Sequence, residues 1–293
     1  MKKFVFILLT AVVSCTRISP DASSDDSNGT VPVKADSIDV YIGLNITCGI
    51  PIQKTDIFVY DAEGTREMES HTDYDCLPES LTLRLPVTGR DRILVAICNF
   101  PFNFNLNALK QFDSMSLLSL RFLDDSTSAP VLSACSDLDP DIREISLSLS
   151  PLMCTVSLDA VSNALDDYVL LENPRIFLSG LNPEAEILKE KDFRPKEGLE
   201  DDTPVKLPYD IGFYTQNPGI VLYCYPNDTP EDILGVSRTR VVFECEINGE
   251  SCRFTSVLPP FGRGSAISTE ITVFSPDEAI WKISPRYSQS RTQ

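Results

Sequence analysis

The residue types that could do chemistry in this chain are nine cysteines and a single histidine. Cysteine thiols bind metals, act as nucleophiles or form disulfides, and their spacing indicates which of these applies. The sequence contains no Cys-x-x-Cys pair, so it indicates neither a zinc motif nor a thioredoxin-like redox motif. His71 lies in the polar stretch 69–73 between acidic residues. This setting is typical of a solvated histidine and not of a general base.

No other catalytic motif is visible. The sequence lacks the Gly-x-Ser-x-Gly, His-Glu-x-x-His, Walker-type and Gly-x-Gly-x-x-Gly patterns. The acidic segment 137–141 begins like a calcium loop, but Ile142 and Ser148 stand where an EF-hand needs glycine and glutamate. A formal net charge of -18 argues against nucleic-acid binding. We therefore expect no catalytic residue, no metal and no cofactor, and a protein that is not an enzyme.

Cys15 is set apart from the other cysteines by what precedes it. After two lysines, residues 4–13 form an apolar segment that is too short to span a bilayer. The stretch Val12-Val13-Ser14-Cys15 resembles the lipobox of bacterial lipoproteins. The resemblance implies that residues 1–14 are a signal peptide and that lipid on Cys15 anchors the chain in the outer membrane, with the body exposed at the surface. An ordinary secretory signal is the alternative.

The cysteines that remain are an even number, in a chain expected to cross an oxidising space. Such a count is consistent with disulfides, although sequence alone cannot give their connectivity. The alternative is that several cysteines in apolar strand patterns, such as Cys98, are buried thiols. Residues 15–35 are poor in apolar side chains and predict a flexible tether between the lipid and the folded body.

Short runs of β-branched and aromatic residues, separated by turn residues, dominate the body. Strands are predicted at residues 38–46, 56–60, 81–87, 93–98, 131–135, 142–149, 153–158, 175–179, 211–214, 220–225, 239–247, 251–258 and 267–274. This density favours β-sandwiches over alternating βαβ units. One helix is predicted at residues 106–118, where apolar residues recur every three positions and Asn105 or Asn103 could cap the start.

The best-specified local unit is a hairpin at residues 241–257. Asn248-Gly249 is the signal for a type I′ turn, and a two-residue loop places Cys245 directly opposite Cys252 on the apolar face. In the same register an acidic residue lies opposite a basic one on the other face. The two Cα atoms would lie about 5.5 Å apart, which is within disulfide range. A disulfide and a pair of packed thiols both remain open.

Three parts of the chain, in this order, resemble the fimbrillin family of the Bacteroidetes, whose members form or terminate surface fimbriae. They are the segment DIFVYDAEG at residues 56–64, the segments 129–134 and 145–156, and the segments 221–229 and 239–244. The resemblance implies an all-β fold of two tandem transthyretin-like β-sandwich domains, with one short helix in the first. It places these domains at residues 36–150 and 151–284, followed by a polar tail at 285–293. Pro151 departs from the family's pattern at the junction.

The resemblance also implies assembly by β-strand donation to other fimbrial subunits, and a contribution to adhesion. The candidate donor strand contains Ala279, Trp281 and Ile283, which share one face at strand period. The alternative is that these residues form the last strand of their own domain. For the function as a whole, the alternative is a surface glycan-binding lipoprotein of a nutrient-uptake system.

The positions of the arginines favour an anchor or terminal subunit over a shaft subunit. By resemblance, shaft fimbrillins lose their lipid and first strand to an Arg-directed protease. After Arg17 the next arginine here is Arg66. Cleavage after Arg17 would leave the strand predicted at residues 38–46 in place, and cleavage after Arg66 would remove a second predicted strand with it.

Overall fold

The computed structural model describes residues 37–46, 50–76, 81–87, 89–165, 169–195, 197–199, 204–230 and 236–286. Most of these residues lie in β-strands. The strands of the first half are β1 (Ser37–Ile46), β2 (Thr55–Asp61), β3 (Met68–Tyr74), β4 (Leu81–Pro86), β5 (Arg92–Cys98), β6 (Ser119–Arg121), β7 (Leu132–Leu138) and β8 (Glu144–Pro151). Those of the second half are β9 (Cys154–Asn163), β10 (Glu172–Ser179), β11 (Glu184–Glu186), β12 (Val205–Lys206), β13 (Ile220–Cys224), β14 (Arg240–Ile247), β15 (Glu250–Val257), β16 (Ala266–Ser275) and β17 (Glu278–Pro285).

The first half is a sandwich whose two layers belong to one sheet, in the order β3-β2-β5-β7-β8-β1-β4. β7 and β8 pair at only two positions, Leu132 with Pro151 and Ser133 with Ser150. Beyond this joint the sheet folds over, and the two layers enclose a common core. The buried members of that core include Val40, Ile42, Ile57, Val59, Leu83, Leu85, Leu94, Ala96, Leu147 and Leu149.

β2 and β5 are buried on both faces, which is why they are continuous apolar runs in the sequence. One face belongs to the core between the layers. The other face packs Phe58, Tyr60 and Val95 against the connection between β5 and β7 and against Ile187 of the second half. The first half therefore has a second apolar cluster outside its sandwich, and that cluster includes a residue from the other half of the chain.

The helix α1 (Phe112–Ser116) lies in this covering connection and is shorter than predicted. The predicted span of 106–118 was wrong, because at Gln111 the backbone forms a β-bridge to Glu67. Amides and carbonyls engaged in such a bridge are not free for helical hydrogen bonds. Asn105 accepts a hydrogen bond within a turn that precedes the bridge, and it does not cap α1.

The second half is a sandwich of two four-stranded sheets, β12-β10-β14-β15 and β13-β9-β16-β17. β9 pairs in parallel with β16 and antiparallel with β13. The facing side chains form the second core, which includes Val156, Leu158, Ile176, Leu178, Val241, Phe243, Phe254, Ile267 and Ile271. Together the two sandwiches confirm the predicted all-β tandem architecture.

The hairpin of β14 and β15 has the register predicted from the sequence. Cys245 pairs with Cys252, and Glu244 pairs with Arg253 on the opposite face at an Nη1–Oε1 distance of 3.6 Å. Asn248 and Gly249 both have positive φ, at 53° and 80°, as a type I′ turn requires. The turn signal and the apolar alternation act together to fix this pairing.

Arg263, in the connection before β16, joins the two halves. Its side chain is 4% exposed. Nη1 donates to the carbonyl of Ile187 at 3.0 Å and to Glu190 Oε1 at 3.2 Å. Nη2 donates to Ser133 Oγ at 2.8 Å and to the carbonyl of Ser150 at 2.6 Å, at the joint where β7 meets β8. One guanidinium therefore satisfies acceptors from both halves.

A second polar contact near the joint involves Asp125 and Tyr225. The Tyr225 hydroxyl donates to Asp125 Oδ2 at 3.2 Å, and Asp125 Oδ1 accepts from the backbone amide of Val131 at 3.1 Å. Burial raises the pKa of the Asp125 carboxyl, although these hydrogen bonds oppose the shift. Burial also raises the pKa of Tyr225, and the neighbouring carboxylate adds to that increase.

Candidate functional site

β1 occupies a slot between two other strands of the first sandwich. Residues 37–42 pair antiparallel with β4, and residues 41–46 pair in parallel with β8. Val40 and Ile42 are 1% and 3% exposed and point into the core between the layers, whereas Tyr41 is 57% exposed on the outer face. β1 thus provides hydrogen bonds to two neighbouring strands, and its buried side chains Val40 and Ile42 contribute to the core. It is the element whose removal would open a groove.

The candidate donor segment is β17, the edge strand beside β16. Ala279, Trp281 and Ile283 are partly buried and pack against the second core, and Ile280 is 58% exposed on the other face. The indole Nε1 of Trp281 is buried without a hydrogen-bond partner. The structure therefore brings the three predicted residues together on one face, and that face covers the core of their own sandwich.

Cys245 and Cys252 are 4% and 7% exposed, and both are free thiols. Burial raises the pKa of Cys245 to about 12, and the neighbouring Cys252 adds to the shift. Burial also raises the pKa of Cys252. A thiol that stays protonated reacts slowly, so this pair would exchange with another disulfide only slowly once the chain is folded. A disulfide and a pair of packed thiols both stay predictions for Cys245 and Cys252.

A second cysteine pair lies in the opposite sheet of the same sandwich. Cys154 opens β9, Cys224 closes β13, and the two are direct register partners. Both side chains are 0% exposed and belong to the second core, and like Cys245 and Cys252 they are free thiols in the structure. This pair is not predictable from local sequence, because 69 residues separate its members and no turn signal fixes their register.

The other described cysteines have no cysteine opposite them. Cys98 faces Leu132 across β5 and β7, and Cys135 faces Val95. Burial raises the pKa of Cys98 to about 11, whereas the side chain of Cys135 is exposed. Cys76 is exposed. Cys15, together with the predicted signal peptide and tether, lies outside the described residues.

His71 is not solvated as predicted. It lies in β3, directly opposite Phe58 of β2, and its ring stacks on that of Phe58 at a centroid distance of 4.5 Å. Its Nε2 lies 2.9 Å from Oδ1 of Asp56, whose side chain is 1% exposed, and Lys54 Nζ lies 3.3 Å from the other carboxylate oxygen. Pairing of β3 with β2 turns the histidine toward the buried Asp56 side chain, which the local sequence does not show. The buried carboxyl group of Asp56 thus has His71 as a hydrogen-bonding partner at Oδ1 and Lys54 at ion-pair distance from Oδ2.

No protein-family model and no curated protein matches the sequence. Solved structures do match. The fimbrilin of Porphyromonas gingivalis W83 aligns with a TM-score of 0.61 at 9% identity, over 85% of this chain and 97% of that one. The chain has the fimbrillin fold. The expectation drawn from the sequence segments is confirmed at the level of architecture.

The fimbrillin fold also relates the chain to two other solved structures. The tip fimbrial protein Mfa3 of Porphyromonas gingivalis aligns with a TM-score of 0.56 at 11% identity, over 84% of this chain and 99% of that one. A fimbrial assembly protein of Parabacteroides distasonis ATCC 8503 aligns with a TM-score of 0.55 at 14% identity, over 85% of this chain and 99% of that one. Nearly the whole length of each of these chains has a counterpart here.

Among the residues that the structure describes, no helix is long and apolar enough to cross a membrane.

Proposed function

We propose that the chain is a structural subunit of cell-surface fimbriae that contributes to adhesion, and that it serves as an anchor or terminal subunit. The fimbrillin fold carries the proposal, since it occurs in a fimbrilin, a tip fimbrial protein and a fimbrial assembly protein. The partners are other fimbrial subunits, engaged by strand exchange, and the outer membrane, reached through lipid on Cys15. A structural role also agrees with the lack of catalytic motifs in the sequence.

The position of β1 supports strand exchange. A chain that lost β1 would expose the edges of β4 and β8 and an apolar groove where Val40 and Ile42 now lie. An incoming strand with apolar residues at alternate positions would restore both the hydrogen bonds and the core. In this chain the groove is filled by the chain's own strand.

The arginine positions support the anchor role. A cut after Arg17 would remove the lipid and leave β1 in place. A cut after Arg66 would remove both β1 and β2, and β2 contributes buried residues to the clusters on both of its faces. A chain that keeps β1 and its lipid ends a polymer at the membrane and does not extend it in both directions.

N-terminal sequencing and mass spectrometry of the chain from isolated fimbriae test this proposal. We expect a mature chain that starts at an acylated Cys15. The variant Cys15→Ala should leave the membrane fraction, whereas Cys76→Ala, which changes another cysteine at the surface, should remain there. A mature start near Ala35 without acylated Cys15 would identify a shaft subunit. Glycan binding that persists in cells without fimbriae would instead support the glycan-binding lipoprotein.

A truncation at residue 277 tests whether β17 is a donor strand. If it is a donor, the truncated chain is less stable but still unfolds cooperatively, and it no longer co-purifies with fimbrial subunits. If it serves only its own sandwich, the truncation strongly destabilises the chain, because Trp281 and its neighbours leave the second core. A chain that ends at Arg286 is the matched control, since it keeps all of β17.

A further inference from the structure

The second sandwich contains two pairs of cysteines, one in each of its sheets, and each pair lies directly across two neighbouring antiparallel strands. Cysteine is an uncommon residue, so two pairs that face each other within one sandwich call for a structural reason. The pair of Cys245 and Cys252 follows from a tight turn. The pair of Cys154 and Cys224 has no such local origin, because tertiary structure alone brings its members together.

The geometry of Cys154 and Cys224 suits a covalent bond. Residues directly opposite in an antiparallel pair have Cα atoms about 4.5 or 5.5 Å apart, and both values lie within the range spanned by disulfides. Both side chains point into the second core, so they lie on the same face of the sheet. Within the described part of the chain, no group of three or more metal-ligating side chains offers these thiols another role.

We propose that Cys154 and Cys224 form a disulfide that is made while the chain folds, before β13 closes on β9. The reaction is thiol–disulfide exchange with a disulfide oxidant, either a protein or a small molecule. The two thiols lose two protons and two electrons as the sulfur–sulfur bond forms. The oxidant's disulfide is cleaved and leaves as two thiols, which balances the reaction.

The timing follows from burial. Exchange proceeds through a mixed disulfide, in which a cysteine sulfur of the chain is bonded to the oxidant and needs room for it. The side chains of Cys154 and Cys224 are both 0% exposed, so the folded chain has no such room. Burial also raises the pKa of the Cys154 thiol to about 12 and places that of Cys224 well above its usual value. Both thiols therefore stay protonated at neutral pH in the folded state.

The position of the bond gives it a structural purpose. β13 is an edge strand that pairs with β9 over five residues, and Cys224 is its last residue. Cys154 lies next to the buried Leu152 and Met153 at the junction of the two halves. As a free thiol it donates a hydrogen bond to the carbonyl of Gly262 at 3.1 Å, and the disulfide gives up this contact in exchange for a covalent bond. The disulfide therefore fastens an edge strand to the start of the second sandwich.

Oxidative refolding with peptide mapping tests the proposal. The mature chain is refolded from denaturant in a mixture of oxidised and reduced glutathione, alkylated under denaturing conditions and digested without reduction. We expect a linked pair of peptides that contain Cys154 and Cys224. Alkylation of both cysteines after oxidative refolding, or a bond from either one to a different cysteine, would overturn the assignment.

A second arm tests the timing. A chain folded with all thiols reduced is then exposed to oxidised glutathione, and this pair should remain unlinked. A linked chain should resist a reductant until denaturant is added. Rapid linkage of the folded, reduced chain would overturn the claim that the bond forms before closure. Both arms use purified protein and do not depend on assembly into fimbriae.

The variant Cys98→Ala is the matched control, because Cys98 is also 0% exposed but faces a leucine. It should give the same linked peptides as the parent chain. Cys224→Ala should leave Cys154 alkylated in the same experiment. If Cys224→Ala does not fold, the map of the parent chain alone decides the assignment.

Discussion

The contact made by Arg263 gives a quantitative prediction about the joint between the sandwiches. Arg263→Met keeps the length of the side chain and removes the guanidinium. Four hydrogen bonds of 3.2 Å or less would be lost, to Ile187, Glu190, Ser133 and Ser150. At about 1.5–3 kcal/mol for each bond to a charged group, the gross loss is roughly 6–12 kcal/mol.

Burial of the guanidinium charge is itself unfavourable, and this cost offsets part of the stability that the four hydrogen bonds provide. Burial lowers the pKa of Arg263, and its Nε is buried without a hydrogen-bond partner. Removal of one member of a buried, hydrogen-bonded charge pair costs about 3–5 kcal/mol in other proteins. We therefore expect Arg263→Met to lower the free energy of unfolding by about 3–5 kcal/mol, which is a large share of the stability of an ordinary domain.

Denaturant unfolding, followed by far-ultraviolet circular dichroism and by the fluorescence of Trp281, measures this change. The control is Arg286→Met, because the Arg286 side chain is 59% exposed and lies 3.8 Å from Asp159. We expect the control to cost less than about 0.5 kcal/mol. A loss of less than about 1 kcal/mol for Arg263→Met, or a loss equal to that of Arg286→Met, would refute the view that this residue joins the two halves.

Three further predictions concern single residues. Gly249→Ala should lower the free energy of unfolding by about 1 kcal/mol, because φ is 80° although the new methyl group would meet nothing within 4 Å. Gly264→Ala should lower it further, because its methyl group would also contact the joint at 3.3 Å. Thermal unfolding compares the two variants. Asp125→Asn should flatten the pH dependence of stability. A carboxyl whose pKa is raised in the folded chain adds its full stabilisation below its unfolded pKa of 3.8, and it loses that contribution as the pH rises through its folded pKa. Urea titration at several pH values measures this. Trp281→Phe should cost less than about 1 kcal/mol, since it also removes an unpaired buried N–H, whereas Trp281→Ala should cost about 2–4 kcal/mol in denaturant unfolding.

Local signals in the sequence predicted the parts of the fold that local interactions determine. The hairpin of β14 and β15 is the best example, because turn chemistry, apolar alternation and a charge pair all require the same register. β3 was missed for the opposite reason. Its sequence, MESHTDY, is polar because it forms an edge strand with little buried surface, and only its pairing with β2 makes it a strand.

The segment 211–214 was predicted as a strand from its apolar content, and this was wrong. Ile211 forms an isolated bridge to Leu171, whereas Phe213 and Tyr214 are 72% and 65% exposed. Apolar residues in a loop look like a strand when only composition is visible. For the candidate site, the sequence supplied the face shared by Ala279, Trp281 and Ile283 but could not supply Cys154 opposite Cys224. That contact depends on how distant strands are ordered in a sheet.

The parallel pairing of β1 with β8 has a mechanical consequence. β1 is entered from the N-terminal side at Ser37, and β8 leads out at Pro151 toward the second sandwich. Tension between these two points pulls parallel neighbours in opposite directions along their length. All six register pairs between the strands then bear the load together in shear, and none can open ahead of the others as in a zipper. Resistance to forced unfolding is governed by the unfolding rate, so this arrangement would let the first sandwich hold under a pull that would peel an antiparallel hairpin apart.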